Sequence, residues 1–135
     1  MARDKREIGR AVVRRIWGDE MAAELEKGWE ELHPDLARFI LEFVSAEVWS
    51  RPTIDLKTRS LCTLAAVTAL GRLEQVRFHT RGALGNGATP EEIKEVLLHL
   101  CVYAGFPAGW AALRAAHEVF VELEAERQRP RKKAK

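Results

Sequence analysis

Among the residues of this chain, His79 is the one best suited to moving a proton, because an imidazole changes charge near neutral pH. It lies in the run GRLEQVRFHTRGALGNG. At helical spacing Gln75, His79 and Gly82 share a face, which sets an amide one turn from the ring. Arg72, Arg77 and Arg81 fall on adjoining faces. A histidine beside guanidinium groups has a lowered pKa and meets anions readily. A histidine hydrogen-bonded at a helix–helix contact is the plainer reading of the same pattern. Arg51 and Arg59 flank the start of the apolar helix that precedes this run. Such arginines are usually solvated or ion-paired, but two of them at one mouth can grip a dicarboxylate in bidentate fashion.

The remaining candidates are weaker. His99 is one turn from Glu95 and Tyr103 and reads as a packed or interface histidine, while His33 and His117 read as surface residues. The four histidines show no metal-ligand spacing, and there is no HExxH, no GxSxG and no Gly-rich phosphate loop. No metal site is therefore expected. Cys62 and Cys101 lie far apart in apolar runs, as small hydrophobes do, without CxxC spacing. The four tryptophans suit helix packing better than base stacking, since no basic patch accompanies them.

The elements that must position these side chains read as helices with short breaks. Ile8, Val12 and Ile16 mark one apolar face over residues 4–17, and Gly18 ends it. Asp19 is placed to cap a second helix running through Trp29. Pro34 opens a third over 34–49, with Leu36, Phe39, Ile40, Phe43, Val44 and Val48 as its apolar face. Asp55 caps a fourth over 55–70, apolar or small almost all round from Leu61 to Leu70, which marks a central helix or one shared with another subunit. A fifth covers 73–84, and Gly85-Asn86-Gly87 ends it. Thr89-Pro90-Glu91-Glu92 is a capping box with Pro at N1 that opens a sixth helix reaching Ala104. Gly105 and Pro107 precede a seventh over 107–126. No strand pattern and no repeat appear. Helices one to three look peripheral, with four, six and seven supplying most of the core.

Composition agrees. Ala (19) and Leu (15) dominate a chain of 135 residues that holds only nine Gly and five Pro, which favours helix. The length suits one domain over 1–126, with a basic, disordered tail over 127–135. That tail, RQRPRKKAK, holds six of the 22 basic residues, leaving 16 against 20 acidic ones in the body. A chain-wide basic stripe is thus absent, and no nucleic-acid partner is expected. No run of about 18 apolar residues exists to span a membrane. The charged N-terminus lacks the apolar core of a secretory signal, so a cytoplasmic location is expected. Apolar helices in so short a chain predict a homo-oligomer.

Several runs carry a resemblance. Ala46-Glu47-Val48-Trp49-Ser50-Arg51-Pro52, Lys57-Thr58-Arg59-Ser60-Leu61 and Ala69-Leu70-Gly71-Arg72 are similar to the gamma-carboxymuconolactone decarboxylase family. So are Arg77-Phe78-His79, Asn86-Gly87, Glu91-Glu92-Ile93-Lys94-Glu95 and Tyr103-Ala104-Gly105-Phe106-Pro107-Ala108. The resemblance is dense over residues 46–120, and Arg15-Ile16-Trp17-Gly18 extends it toward the N-terminus.

It implies an all-α, alkyl hydroperoxidase D-like fold of six to seven helices in a ring-like oligomer, a trimer or hexamer. It implies cofactor-free decarboxylation of gamma-carboxymuconolactone to the beta-ketoadipate enol-lactone, in the breakdown of protocatechuate-derived aromatics. His79, Gln75 and Arg72 are then the catalytic candidates, and Arg51, Arg59, Tyr103 and Phe106 the substrate-binding ones. The wider superfamily includes thiol peroxidases with CxxC ahead of the histidine and a Glu upstream. Here those positions are Arg72, Gln75 and Ser60, so peroxidase chemistry lacks its nucleophile. The chain departs from the family decarboxylases at Gln75-Val76, where they carry Glu-Leu. An amide does not titrate, so Gln75 cannot replace a Glu that acts as acid or base, but it can replace one that only orients His79 or the substrate by hydrogen bonding. The alternatives are a same-fold enzyme acting on a different acidic lactone or keto acid, and a non-catalytic helical oligomer that binds small acids.

Overall fold

The computed structural model describes residues 3–130. The chain is all-α, and every described element is helical: α1 (Lys5–Trp17), α2 (Asp19–Leu32), α3 (Pro34–Arg38), a π-helical segment (Phe39–Trp49), α4 (Leu56–Ala69), α5 (Leu73–Gly85), α6 (Pro90–Ala104) and α7 (Phe106–Gln128). Two compact units arise, one from residues 1–60 and 82–88, the other from 61–81 and 89–135. Among the described residues, no helix is long and apolar enough to cross a membrane. Arg127 and Gln128 of the expected tail belong to α7, and residues 131–135 lie outside the described residues.

Most boundaries follow local chemistry. Thr89 and Glu92 form the expected reciprocal capping box, each side chain taking the other's backbone N–H at 3.1 Å. Asp55 accepts the Thr58 N–H at 2.7 Å and starts α4. One expected cap moves. Gly18, at φ 82°, serves both as the end of α1 and as the N-cap of α2. Asp19 therefore falls inside the first turn, where its carboxylate faces the positive end of the helix dipole.

The third expected helix departs most. After one α turn the backbone widens into π winding from Phe39 to Trp49, and the Ser50 N–H closes it on the Ser45 carbonyl at 3.1 Å. Its buried residues are Leu41, Ser45 and Ala46, with Ala37 just before them. The face expected to be core points outward instead: Phe39 is 52% exposed and Phe43 56%, with Leu36 and Val44 also exposed. The reason lies across the contact. A Cβ on Gly9 of α1 would stand 1.9 Å from the Leu41 carbonyl oxygen. With the backbones this close, Leu41 is the large residue of the segment that is fully buried, beside the small Ala37, Ser45 and Ala46.

The first unit thus has its own core rather than a peripheral role. Val13, Ala22 and Leu41 form it, and Trp17, Leu25 and Trp29 pack around it. The buried stripe of α1 is Gly9, Val13 and Ile16, so Ile8 and Val12 sit to one side of it. Arg6 and Arg10 pair with Glu26 of α2, Arg10 at 2.9 Å and Arg6 at 3.2 Å, and Arg6 also reaches Glu30. These guanidinium groups hold the Glu26 carboxyl below the usual carboxylate range. A second close approach sets the end of α5, since a Cβ on Gly85 would meet the Ile16 carbonyl oxygen at 2.1 Å.

In the second unit α6 packs along α7, with Ile93, Leu97 and Cys101 buried on one helix and Ala112, Ala116 and Val119 on the other. A Cβ on Gly109 would come within 2.2 Å of the Cys101 sulfur. Cys62, expected to be packed like Cys101, is exposed on α4. The buried stripe of α4 is only Ser60, Leu64 and Thr68, so the helix is covered along one face of the chain rather than all round.

These contacts set the outcome of glycine substitutions. Gly9→Ala and Gly85→Ala force backbone apart and should each cost about 1–3 kcal/mol or more. Gly28→Ala, with nothing within 4 Å of its added Cβ inside α2, should instead stabilise by about 0.5–1 kcal/mol. Urea unfolding midpoints check both signs.

Candidate active site

Helix α5 carries the expected catalytic residues. Its buried stripe is Val76, Thr80 and Ala83, none of them accessible to solvent. Thr80 satisfies its own hydroxyl on the Val76 carbonyl at 2.7 Å. His79 lies beside this stripe and is half-buried, whereas Gln75, one turn earlier, and Arg72, just ahead of the helix, are exposed. The Phe78 ring meets the imidazole edge-on, with centroids 5.1 Å apart and planes at 86°. Burial pushes the His79 pKa down, because it removes water from the charged imidazolium. The free protein therefore holds a neutral ring at neutral pH.

The arginines around His79 are not what lowers it. Arg77 reaches Glu118 at 2.6 Å and also binds Glu122. Arg81 spans Glu122 at 3.0 Å and Glu126 at 3.4 Å. Together they tie α5 to α7 through carboxylates one turn apart and hold the Glu122 carboxyl below its ordinary range. Sequence spacing alone puts these guanidinium groups beside the imidazole and credits them with its pKa. The structure assigns the shift to desolvation and the arginines to an inter-helix ladder.

Arg51 and Arg59 meet in the first unit. Arg59 donates from Nη2 to the Arg51 carbonyl oxygen at 3.1 Å, so it braces the loop that presents Arg51. That loop opens on a cleft of about 720 Å³. Its α1 wall is Ile8, Ala11, Val12 and Arg15, spaced i, i+3, i+4, i+7 along one helix face. Trp49, Arg51 and Pro52 line the cleft from the end of the π-helical segment and the loop after it, and Asp55, Leu56 and Lys57 from the start of α4. Asn86 also lines it. Its amide donates to the Ser60 hydroxyl oxygen at 2.8 Å and to the Leu56 carbonyl at 3.4 Å, which pins the first turn of α4. Ser60, the position where thiol peroxidases of the superfamily carry Glu, is buried in this clamp.

Sequence pattern marks Arg51 but misses Arg15, Lys57 and Asn86 as its neighbours. A signal for Arg15 does exist: it continues the Ile8–Val12 face by one turn beyond its last apolar member. Tyr103 and Phe106 stand at the α6–α7 corner around Gly105, 77% and 68% exposed. Tyr103 lies against the His99 ring, with centroids 4.9 Å apart. Gln75 and His79 thus lie one turn apart on α5 with Arg72 just before it, and Arg59 of α4 meets the loop residue Arg51, while Tyr103 and Phe106 form an exposed apolar corner.

A lowered histidine pKa has a thermodynamic counterpart. The unfolded chain takes up a proton at His79 near pH 6.5, before the folded chain does, so acidification favours unfolding. Stability should be unaffected by this group above that pH and fall as pH drops from 7 toward 5. His79→Gln should flatten that part of the profile, as read from urea midpoints at each pH. An NMR titration should place the His79 midpoint below that of a free histidine.

The chain also matches known proteins. The profile of the Carboxymuconolactone decarboxylase family matches residues 34–118. A 4-carboxymuconolactone decarboxylase of Acinetobacter baylyi is 40% identical over 115 residues, 85% of this chain and 86% of that protein. A nitrosuccinic acid decarboxylase of Metarhizium robertsii is 44% identical over 69 residues, 51% of this chain and 48% of that one. An uncharacterized 15.0 kDa protein of Paracoccus denitrificans is 35% identical over 102 residues, 74% of this chain and 76% of its own length. With the profile covering more than half of its length and a relative matched nearly end to end, the chain belongs to the carboxymuconolactone decarboxylase family.

Proposed function

We propose that this protein is a cofactor-free decarboxylase of small dicarboxylic acids, and that its substrate is gamma-carboxymuconolactone. The observation that carries this reading is the 40% identity, across 85% of the chain, to a relative named for that reaction. The product is the enol-lactone that leads to beta-ketoadipate in aromatic catabolism. The setting is the cytoplasm.

The chemistry needs little from the protein. The carbon–carbon bond to the leaving carboxylate breaks on the ring carbon gamma to the lactone carbonyl. The electron pair moves through the double bond into that carbonyl, CO2 departs, and a furan-like oxyanion is left. Protonation at the alpha carbon then gives the enol-lactone. The substrate's own carbonyl is the electron sink, which is the service a cofactor supplies elsewhere. The chain must hold the spectator carboxylate, stabilise the oxyanion and return the proton.

Arg51 is assigned the carboxylate, with Arg59 positioning its loop. Arg72, Gln75 or a backbone N–H stabilises the oxyanion, where one preorganised donor is worth about 3–4 kcal/mol. His79 delivers the proton. Its low pKa in the free protein suits this role once a dianion binds, because nearby negative charge favours the imidazolium and raises the pKa again. Tyr103 and Phe106 belong to apolar surface that a second copy of the chain would cover. With Phe39, Phe43 and Trp110 also exposed, this supports a homo-oligomer, a trimer or hexamer.

A second reading has its own observation. Gln75 stands where the family decarboxylases carry Glu, and one relative is a nitrosuccinic acid decarboxylase. Nitrosuccinic acid also carries its electron sink, a nitro group, beside the leaving carboxylate. A different acid with a built-in acceptor is therefore the alternative substrate.

Incubation with gamma-carboxymuconolactone should release CO2 and form the enol-lactone, both measurable directly. His79→Ala should lower kcat by about 10²–10⁴-fold, and an unchanged turnover would remove His79 from the reaction. Arg51→Gln should act mainly on KM. Gln75→Glu should leave the lactone reaction within a few-fold of the parent; a large gain favours the alternative substrate.

A further inference from the structure

We infer that Arg15 is a second anion-binding residue of the α1 cleft, and that the cleft selects small acids with two negative charges over those with one. This rests on reading Arg51 as a carboxylate anchor and adds the residue that reads the second charge.

The guanidinium groups of α1 divide into two kinds. Arg6 and Arg10 are saturated by Glu26, Glu30 and Glu7. Arg15, in the last turn, has no carboxylate within ion-pairing distance among the described residues, and neither does Arg51. Both line the same cleft, Arg15 from α1 and Arg51 from the loop after Trp49. Arg3 and Lys57 add positive charge there, and Asp55 is the one carboxylate among the described lining residues. Asp55 is already engaged by Thr58, whose hydroxyl and backbone N–H, the latter at 2.7 Å, keep its carboxyl below the usual range. It stays ionised and works against anions, so the charge left to hold an anion comes from Arg15 and Arg51, with Arg3 beside them.

The walls between these charges are apolar. Ile8 and Val12 contribute from α1, and Trp49, Pro52 and Ile54 from the segment before α4. Unpaired cations from two elements lining an apolar slot match a compact acid with charge at both ends and hydrocarbon between. A monoanion occupies one arginine and leaves the other without a partner, so it forfeits one set of charge-assisted hydrogen bonds. The slot is open to solvent at its arginines, so salt should weaken the discrimination.

The test uses the full chain and calorimetric binding of four probes: succinate and adipate, each against the monocarboxylate of equal chain length, butyrate and hexanoate. The better dicarboxylate should bind about tenfold tighter than its monoanionic partner at low salt. That ratio should shrink toward unity at high salt. Arg15→Gln should collapse the ratio while leaving monocarboxylate affinity and the thermal midpoint unchanged. Arg51→Gln should weaken both classes. Arg14→Gln, which changes an exposed neighbour lining a different groove with Asp19 and Glu26, should leave the ratio intact. Equal binding of mono- and dicarboxylates by the parent protein, or a ratio unmoved by Arg15→Gln, overturns the inference. Dianion selectivity in a protein that releases no CO2 from the lactone upholds Arg15 and removes the decarboxylase reading.

Discussion

The first unit depends on backbone meeting backbone without side chains between. Gly9 lets α1 rest on the Leu41 carbonyl, and Gly85 lets the end of α5 reach the Ile16 carbonyl. Each contact excludes a single methyl group. The depth at which α1 lies decides which of its faces is buried, and that decides where Ile8, Val12 and Arg15 point. The cleft wall is therefore a consequence of hydrogen atoms at positions 9 and 85. Asn86 fixes the far side by tying the turn after α5 to the first turn of α4. The binding surface is built from elements whose spacing is set by contact rather than by loops.

Much of this is legible in the sequence, and the failures have physical causes. Caps and breakers act within a few residues, so Asp55, the Thr89–Glu92 box, Gly18 and Gly105 mark helix ends accurately. Apolar periodicity finds the helices but misjudges two faces. In α1 it groups Ile8 and Val12 with Ile16, while the buried stripe runs through Gly9 and Val13. In the segment after Pro34 it selects the large residues as core. Size alone does not choose the buried face: the close approach at Gly9 comes at Leu41, and Leu41 rather than Phe39 or Phe43 is buried. Periodicity at one helical period also cannot announce a change to π winding.

The site divides along the same line. His79 is visible as a residue type in a motif, and its half-burial beside Val76 and Thr80 agrees with a tuned group. The origin of its tuning is not visible. Arg77 and Arg81 are adjacent to it in sequence, but their partners, Glu118, Glu122 and Glu126, lie some forty residues away. Charge that looks available in a sequence is often already engaged by a partner that only the fold supplies. Arg15 is the opposite case. It resembles any other arginine of a charged N-terminal helix until Arg6 and Arg10 are seen to be occupied.

In the wide winding from Phe39 to Trp49, the number of residues matters as much as their type. Each wide turn holds one residue more than an α turn would. Removing a residue there would let the backbone tighten and would swing every later side chain round the helix axis. Trp49 ends this stretch, and the loop that presents Arg51 leaves directly from it. The angular setting of one cleft wall is thus kept by a count along the chain, so an insertion or deletion in this stretch would act as a rotation rather than as a change of length.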